Sequence, residues 1–194
     1  MDPQPQTRPL VVGIGGTIGG VSSTERALMI AVDAAAQQGF ETRLFGGEAL
    51  ARLPLYNPKA HVRTDDEQAF VSAVRAASAV IIASPGYHGS ISGLVKNALD
   101  LLEETSQDQR PYLADMPVGL IATAYGWQAT GSTIAALRSI VHALRGWPTP
   151  FAAAINTQLT KFDGEGGASD PAVLDQLAMV GRQVARFAPL AGHV

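Results

Sequence analysis

Apolar positions along this chain gather into five short, mainly apolar runs, each followed by a longer stretch in which they recur every three or four residues. The runs are "LVVGIGG" (Leu10 to Gly16), "FETRLF", "AVIIAS", "MPVGLIATA" and "PTPFAAAIN". Apolar runs without in-out alternation predict strands buried on both faces. The stretches between them predict helices. "SSTERALMIAVDAAAQQG" offers Ser22, Ser23 or Thr24 as N-cap, Glu25 at the favourable end of the dipole, a stripe of Ala27, Leu28, Ala31, Val32 and Ala35, and Gly39 as a stop. "DDEQAFVSAVRAASA" opens on three acids and carries Phe70, Val71, Val74 and Ala77 on one face. "ISGLVKNALDLLEE", "TGSTIAALRSIVHALRG" and a last helix from about Pro171, at its N1 position, to Phe187 complete the set. Residues 46–64 lack periodicity and read as a long connection with one helical turn, and "TQLTKFDGEGGASD" as an irregular, glycine-rich one. Residues 1–9, with three prolines, read as a flexible tail before a single domain over residues 10–190.

Alternation of buried strands with helices predicts an α/β fold, a doubly wound parallel sheet with helices on both faces. Five strands match the flavodoxin-like order 2-1-3-4-5, whose ligand crevice lies at the carboxyl ends of strands one and three. Three loops should meet there: Gly15 to Thr24, Pro85 to Ser90, and Ala124 to Gly131.

Composition narrows what such a crevice could serve. The chain has 194 residues, 46% hydrophobic and 16% charged, and a formal net charge of −3. That balance suits one globular core and supplies no basic footprint for nucleic acid. No apolar run approaches the ~20 residues needed to span a bilayer, and the first nine residues lack the features of a secretory leader, so a cytoplasmic location is expected. There are no cysteines, which removes disulfide and thiolate chemistry. His61, His88, His142 and His193 show no metal-ligand spacing, so no metal site is expected.

The three loops carry the candidate chemistry. "GGTIGGVSST" joins glycines, which let a backbone approach a ligand, to hydroxyls at a helix N-terminus, where free N–H groups favour a phosphate. Thr17, Ser22, Ser23 and Thr24 are the candidate phosphate holders, though an N-cap with a flexible turn would look the same. Pro85, Gly86, Tyr87, His88, Gly89 and Ser90 form a rigid loop with a planar ring and a hydroxyl at the next helix's start. It suits a flat heterocycle, or reads as a plain surface turn. Tyr125, Gly126, Trp127 and Gln128 add aromatic area and an amide able to read a ring edge, with Trp127 equally suited to packing or a dimer contact.

"SPGYHGSISGLVKNALD" resembles the P-x-Y-x-x-S-x-x-G-x-x-K-N-x-x-D signature of the NADPH-dependent FMN reductase family, and the first loop resembles that family's G-[ST]-x-R-x-x-S-x-T. The resemblance implies that Thr17, Ser22 and Thr24 bind the FMN phosphate and that Pro85, Tyr87, His88, Gly89 and Ser90 flank the isoalloxazine. Lys96, Asn97 and Asp100 would be helix and packing elements. It further implies FMN and NADPH as cofactors, a homodimer or homotetramer, and a small-molecule electron acceptor such as a free flavin, quinone or azo compound. Gly19 stands where the family has arginine, which leaves FMN either tightly held or an exchangeable substrate, with Arg26 as one substitute cation. Arg110 and Arg145 are candidates for steering the nicotinamide phosphate. A flavodoxin-type electron carrier and a nicotinamide-binding Rossmann dehydrogenase, the latter suggested by "GIGGTIG", are the alternatives. In the flavin reading the protein supplies no catalytic acid or base, because the cofactor carries the chemistry.

Overall fold

A computed structural model describes residues 8–191. Most of the expected tail, residues 1–7, and His193 lie outside the described residues. Strands β1 (Leu10–Gly15), β2 (Glu41–Phe45), β3 (Ala79–Tyr87), β4 (Ser90–Ile91), β5 (Pro117–Ala124) and β6 (Trp147–Asn156) alternate with helices α1 (Ser23–Ala36), α2 (Gly47–Ala51), α3 (Asp65–Ala76), α4 (Gly93–Asp100), α5 (Trp127–Ala143) and α6 (Pro171–Ala191). A 3-10 segment over Leu101–Thr105 extends α4.

Five strands form a parallel sheet in the order β2-β1-β3-β5-β6, and β4 pairs antiparallel with the end of β3. This is the expected flavodoxin-like order. A dinucleotide-binding sheet of order 3-2-1-4-5-6 would place its first strand differently, so "GIGGTIG" does not open a dinucleotide site.

Successive strand residues point to opposite faces, and each apolar run therefore feeds two cores. Val12, Ile14, Val80, Ile82 and Leu120 pack with Phe70, Val74, Leu99 and Leu137 of α3, α4 and α5. Val11, Ile81, Ile121 and Ile155 pack with Leu28 and Val32 of α1 and Leu177, Val180 and Val184 of α6. The helix starts follow local capping chemistry. Ser22 accepts from the Glu25 amide, and Thr64 with Glu67 forms a reciprocal capping box on α3.

Four expectations need correction. The sheet has a sixth, two-residue strand, because His88 and Gly89 both take positive φ (49° and 88°). Two such residues between paired strands make the turn of a tight hairpin, folding Ser90 and Ile91 back on Tyr87 and Gly86. Ser90 thus lies in β4, and the hydroxyl capping α4 is that of Ser92, 3.2 Å from the Val95 amide. α5 begins at Trp127, three residues before its expected start, and α6 continues to Ala191 instead of stopping at Phe187.

Candidate functional site

A cleft of about 690 Å³ opens at the carboxyl ends of β1, β3, β5 and β6. It is lined from four directions. Thr17, Ser22, Ser23 and Thr24 come from the loop after β1 and the first turn of α1, and Pro85, Gly86, Tyr87 and Gly89 from the β3–β4 hairpin. Thr123 to Gly126 with Gln128, Ala129 and Ser132 come from the end of β5 and the start of α5, and Thr157 follows β6.

One side of this cleft is rich in donors. The first four amides of a helix have no partner within it. Ser22, the N-cap of α1, serves one of them: its Oγ accepts from the Glu25 amide at 3.2 Å, while its carbonyl accepts the first regular helix bond, from the Arg26 amide at 2.9 Å. Among the described residues the amides of Ser23 and Thr24 make no hydrogen bond to the protein, and both residues line the cleft. Thr24 and Thr123 are joined hydroxyl to hydroxyl at 2.6 Å, and both are buried. Two hydroxyls hold two protons, and their mutual bond uses one. The other is available to an acceptor in the cleft.

The hairpin side is tightly held. Ser84 Oγ donates to the Pro85 carbonyl at 2.9 Å and accepts from the Ser92 amide at 3.0 Å, tying the hairpin to the cap of α4. Gly86 lies so close to α5 that a Cβ there would stand 2.5 Å from Thr133 Oγ1. Thr133 in turn donates to the Ala129 carbonyl, so the site is Gly86 backbone against a satisfied helix turn. Tyr87 and Tyr125 are 51% and 75% exposed, which makes them rim residues whose faces are open. On the fourth side, the Thr157 amide donates to the Ala124 carbonyl at 2.8 Å, joining the end of β6 to the end of β5.

Most of the expected site residues meet here. Thr17, Ser22, Ser23, Thr24, Pro85, Gly86, Tyr87, Gly89, Tyr125 and Gly126 all line the cleft, as does Gln128. His88, Ser90 and Trp127 do not. The hairpin turn carries His88 and Ser90 out to solvent, and Trp127, 61% exposed, begins α5 outside the lining. Thr123, Ala129, Ser132 and Thr157 were not singled out from the sequence, since each lies inside a strand or helix or in an irregular segment without a motif of its own.

The proposed cations stand elsewhere. Arg110 donates to the Val74, Arg75 and Ala77 carbonyls, capping α3, and burial lowers its pKa. Arg145 lies over the Tyr112 ring at 5.3 Å. Arg26 donates to the Asp163 carbonyl of the segment after β6. None lines the cleft. Lys96 pairs with Asp100 at 2.5 Å, while Asn97 accepts from the Tyr56 amide and donates to the Pro54 carbonyl. All three are packing elements, and Asn97 fastens the 46–64 connection to α4. Among the described residues no cluster of three or more His, Asp or Glu side chains is placed to hold a metal ion, and no helix is long and apolar enough to cross a membrane.

Residues 9–160, which include every lining residue of the cleft, match the family described as NADPH-dependent FMN reductase. The chain belongs to this family. A curated relative is the FMN-dependent NADPH-azoreductase of Staphylococcus haemolyticus (strain JCSC1435), 34% identical over 96 residues, which are 50% of this chain and 44% of that one. The chain thus spans less than half the length of this relative. Among solved structures, the flavoenzyme NAD(P)H:(acceptor) oxidoreductase FerB from Paracoccus denitrificans superposes with a TM-score of 0.73 at 19% identity, covering 94% of this chain and 98% of that one. A WrbA-like flavodoxin from Agrobacterium tumefaciens gives 0.63 at 17% identity, with coverages of 94% and 98%. These likenesses establish the flavodoxin-like fold of this FMN reductase family member.

Proposed function

We propose that this chain is an NAD(P)H-dependent oxidoreductase that binds FMN in the cleft and passes electrons from NADPH to a small acceptor such as an azo compound, a quinone or a free flavin. The observation that carries the reading is the meeting, in one cleft, of free helix-terminal amides and hydroxyls with a tightly packed hairpin. FMN needs both: a dianionic phosphate end and a planar ring end. A volume near 690 Å³ is of the size that holds a cofactor.

The Ser23 and Thr24 amides, with the hydroxyls of Thr17, Ser22, Ser23 and Thr24, hold the phosphate, aided by the positive end of the α1 dipole. Pro85, Gly86, Tyr87 and Gly89, with Tyr125, Gly126 and Gln128, orient the ring and leave one edge open to a second substrate. When bound, FMN supplies the redox chemistry, accepting hydride from nicotinamide and passing electrons onward. The protein's share is to bind, orient and restrict water. That share agrees with a lining that contains no carboxylate, lysine, arginine or histidine.

The test is a visible-absorption titration of the purified protein with FMN, followed by NADPH oxidation with an azo dye or a quinone present. Binding with turnover is expected. Binding without NADPH oxidation makes the protein a flavodoxin-type carrier, and no FMN binding overturns the reading. We further read the chain as a homodimer or homotetramer that packs through α4 and the 46–64 connection, where Leu55 and Val62 are 87% and 83% exposed. Sedimentation at the mass of a single chain would overturn that part alone.

A further inference from the structure

The loop between β1 and α1 has two further amides, and they do not serve the cleft. Gly19 and Gly20 both take positive φ, 97° and 99°, a backbone turn that aims successive N–H groups at one acceptor. The acceptor is a carboxylate of the protein itself. Glu48 Oε1, from the first turn of α2, accepts from the Gly19 amide at 3.0 Å and reaches the Gly20 amide at 3.4 Å. A second carboxylate runs the opposite way, as Glu25 Oε2 in α1 accepts from the Gly47 amide at 3.0 Å. Between them the loop is clamped: a Cβ on Gly47 would stand 1.9 Å from the Thr17 carbonyl oxygen.

Neither negative charge is neutralised nearby. Among the described residues no cation forms an ion pair with Glu25 or Glu48. Arg52 donates to the Glu48 backbone carbonyl at 3.4 Å, but its guanidinium is paired with Asp66 at 3.1 Å. Glu48 is therefore a full, exposed charge fastened to the loop that also carries Thr17 and leads directly into Ser22 to Thr24.

We propose that Glu48 is a specificity-determining residue for the flavin: its carboxylate braces the Gly19–Gly20 amides and, through its charge, lowers the affinity of the cleft for a phosphorylated flavin relative to an unphosphorylated one. This rests on the reading of the cleft as an FMN site. The brace and the charge act in opposite directions. Bracing preorganises the loop for the phosphate, whereas the charge opposes that same dianion, and only the opposition is screened by salt.

The two are separated by Glu48→Gln, which keeps an oxygen to accept from Gly19 and removes the charge. FMN and riboflavin are titrated into wild type and variant by flavin fluorescence, at low salt and at about 0.5 M NaCl, where exposed charges are largely screened. E48Q is expected to tighten FMN by about three- to tenfold at low salt, to leave riboflavin within about twofold, and to lose most of its advantage at high salt. Glu48→Ala, which removes the brace as well, is expected to gain less FMN affinity than E48Q, to leave riboflavin within about twofold, and to speed hydrogen exchange at the Gly19 and Gly20 amides. A ratio of FMN to riboflavin affinity that is the same in wild type and E48Q overturns the proposal while the FMN site stands. Wild type that binds neither flavin overturns the FMN reading itself, and the proposal with it.

Discussion

The β3–β4 hairpin and the loop between β1 and α1 line the same cleft and are held in opposite ways. The hairpin is shaped by its own residues and seated by packing. Its turn needs only two residues with positive φ, its base is tied by Ser84 to Ser92, and its backbone rests on α5. The glycine loop is fixed by residues distant in sequence. Glu48 braces it from α2, and Thr24 at its far end is bonded to Thr123, 99 positions away. A ring can be gripped by packing, which is local and insensitive to salt. A phosphate is gripped by amides, hydroxyls and field, which depend on every charge brought near by the fold. In the proposed reading, the cleft thus has a rigid end suited to shape and a tunable end suited to charge.

That contrast can be broken most directly at the phosphate end. Ser22→Ala combined with Thr24→Ala removes two hydroxyls from a charged ligand, each such bond contributing about 1.5–3 kcal/mol. FMN affinity should fall by about 100-fold or more, while riboflavin, which has no phosphate, should change by less than about threefold. Loss of both flavins alike would mean that the two ends are not independent. Ser22→Ala also removes the α1 cap, worth about 1 kcal/mol, and Thr24→Ala leaves the buried Thr123 hydroxyl without its partner, worth a further ~1–3 kcal/mol, so the melting temperature of the double variant should fall accordingly.

At the ring end, Gly86→Val drives side-chain atoms into Thr133 and Ala129, at a cost of about 1–3 kcal/mol in stability. Both flavins should weaken together, by about tenfold. A variant that loses FMN alone would contradict the division between shape and charge.

The smallest effect concerns the segment after β6, which touches the first turn of α1, outside the cleft lining, through Arg26 and the Asp163 carbonyl. Amides of Gly167 and Glu165 donate to the Asp163 carboxylate and hold its pKa below the usual carboxylate value. A depressed pKa in the folded state gives stabilisation that is present above the unfolded-state value and is lost as pH falls through the folded one. Hydrogen exchange at Gly167, corrected for its intrinsic pH dependence, should therefore lose protection only in acid, below the ordinary aspartate range. Asp163→Asn should flatten that acid dependence, and a pH-independent wild type would remove this carboxylate from the account.

Much of the cleft was legible beforehand because its parts announce themselves locally. Ser22 reads as a cap, Pro85-Gly86-Tyr87 as a rigid corner after a buried strand, and the three loops fall where a 2-1-3-4-5 sheet must put them. The residues that fall outside the lining share a feature. His88 and Ser90 look like site residues in a linear motif, but a tight turn sends them outward. Trp127 looks like a ring for stacking until α5 is seen to begin on it. Thr123, in β5, carries no sign of its role, because its importance lies in a partner on α1.

The sequence by itself determined the alternation of strands and helices, the parallel sheet with two cores, and the rim at which a ligand would bind. These follow from side-chain periodicity and backbone preference, which act over a few residues. Only the tertiary structure decided which hydroxyls are paired, which amides remain free, and that Glu48 stands against Gly19 and Gly20. Such pairings are made through space between segments tens of residues apart, where no local preference records them.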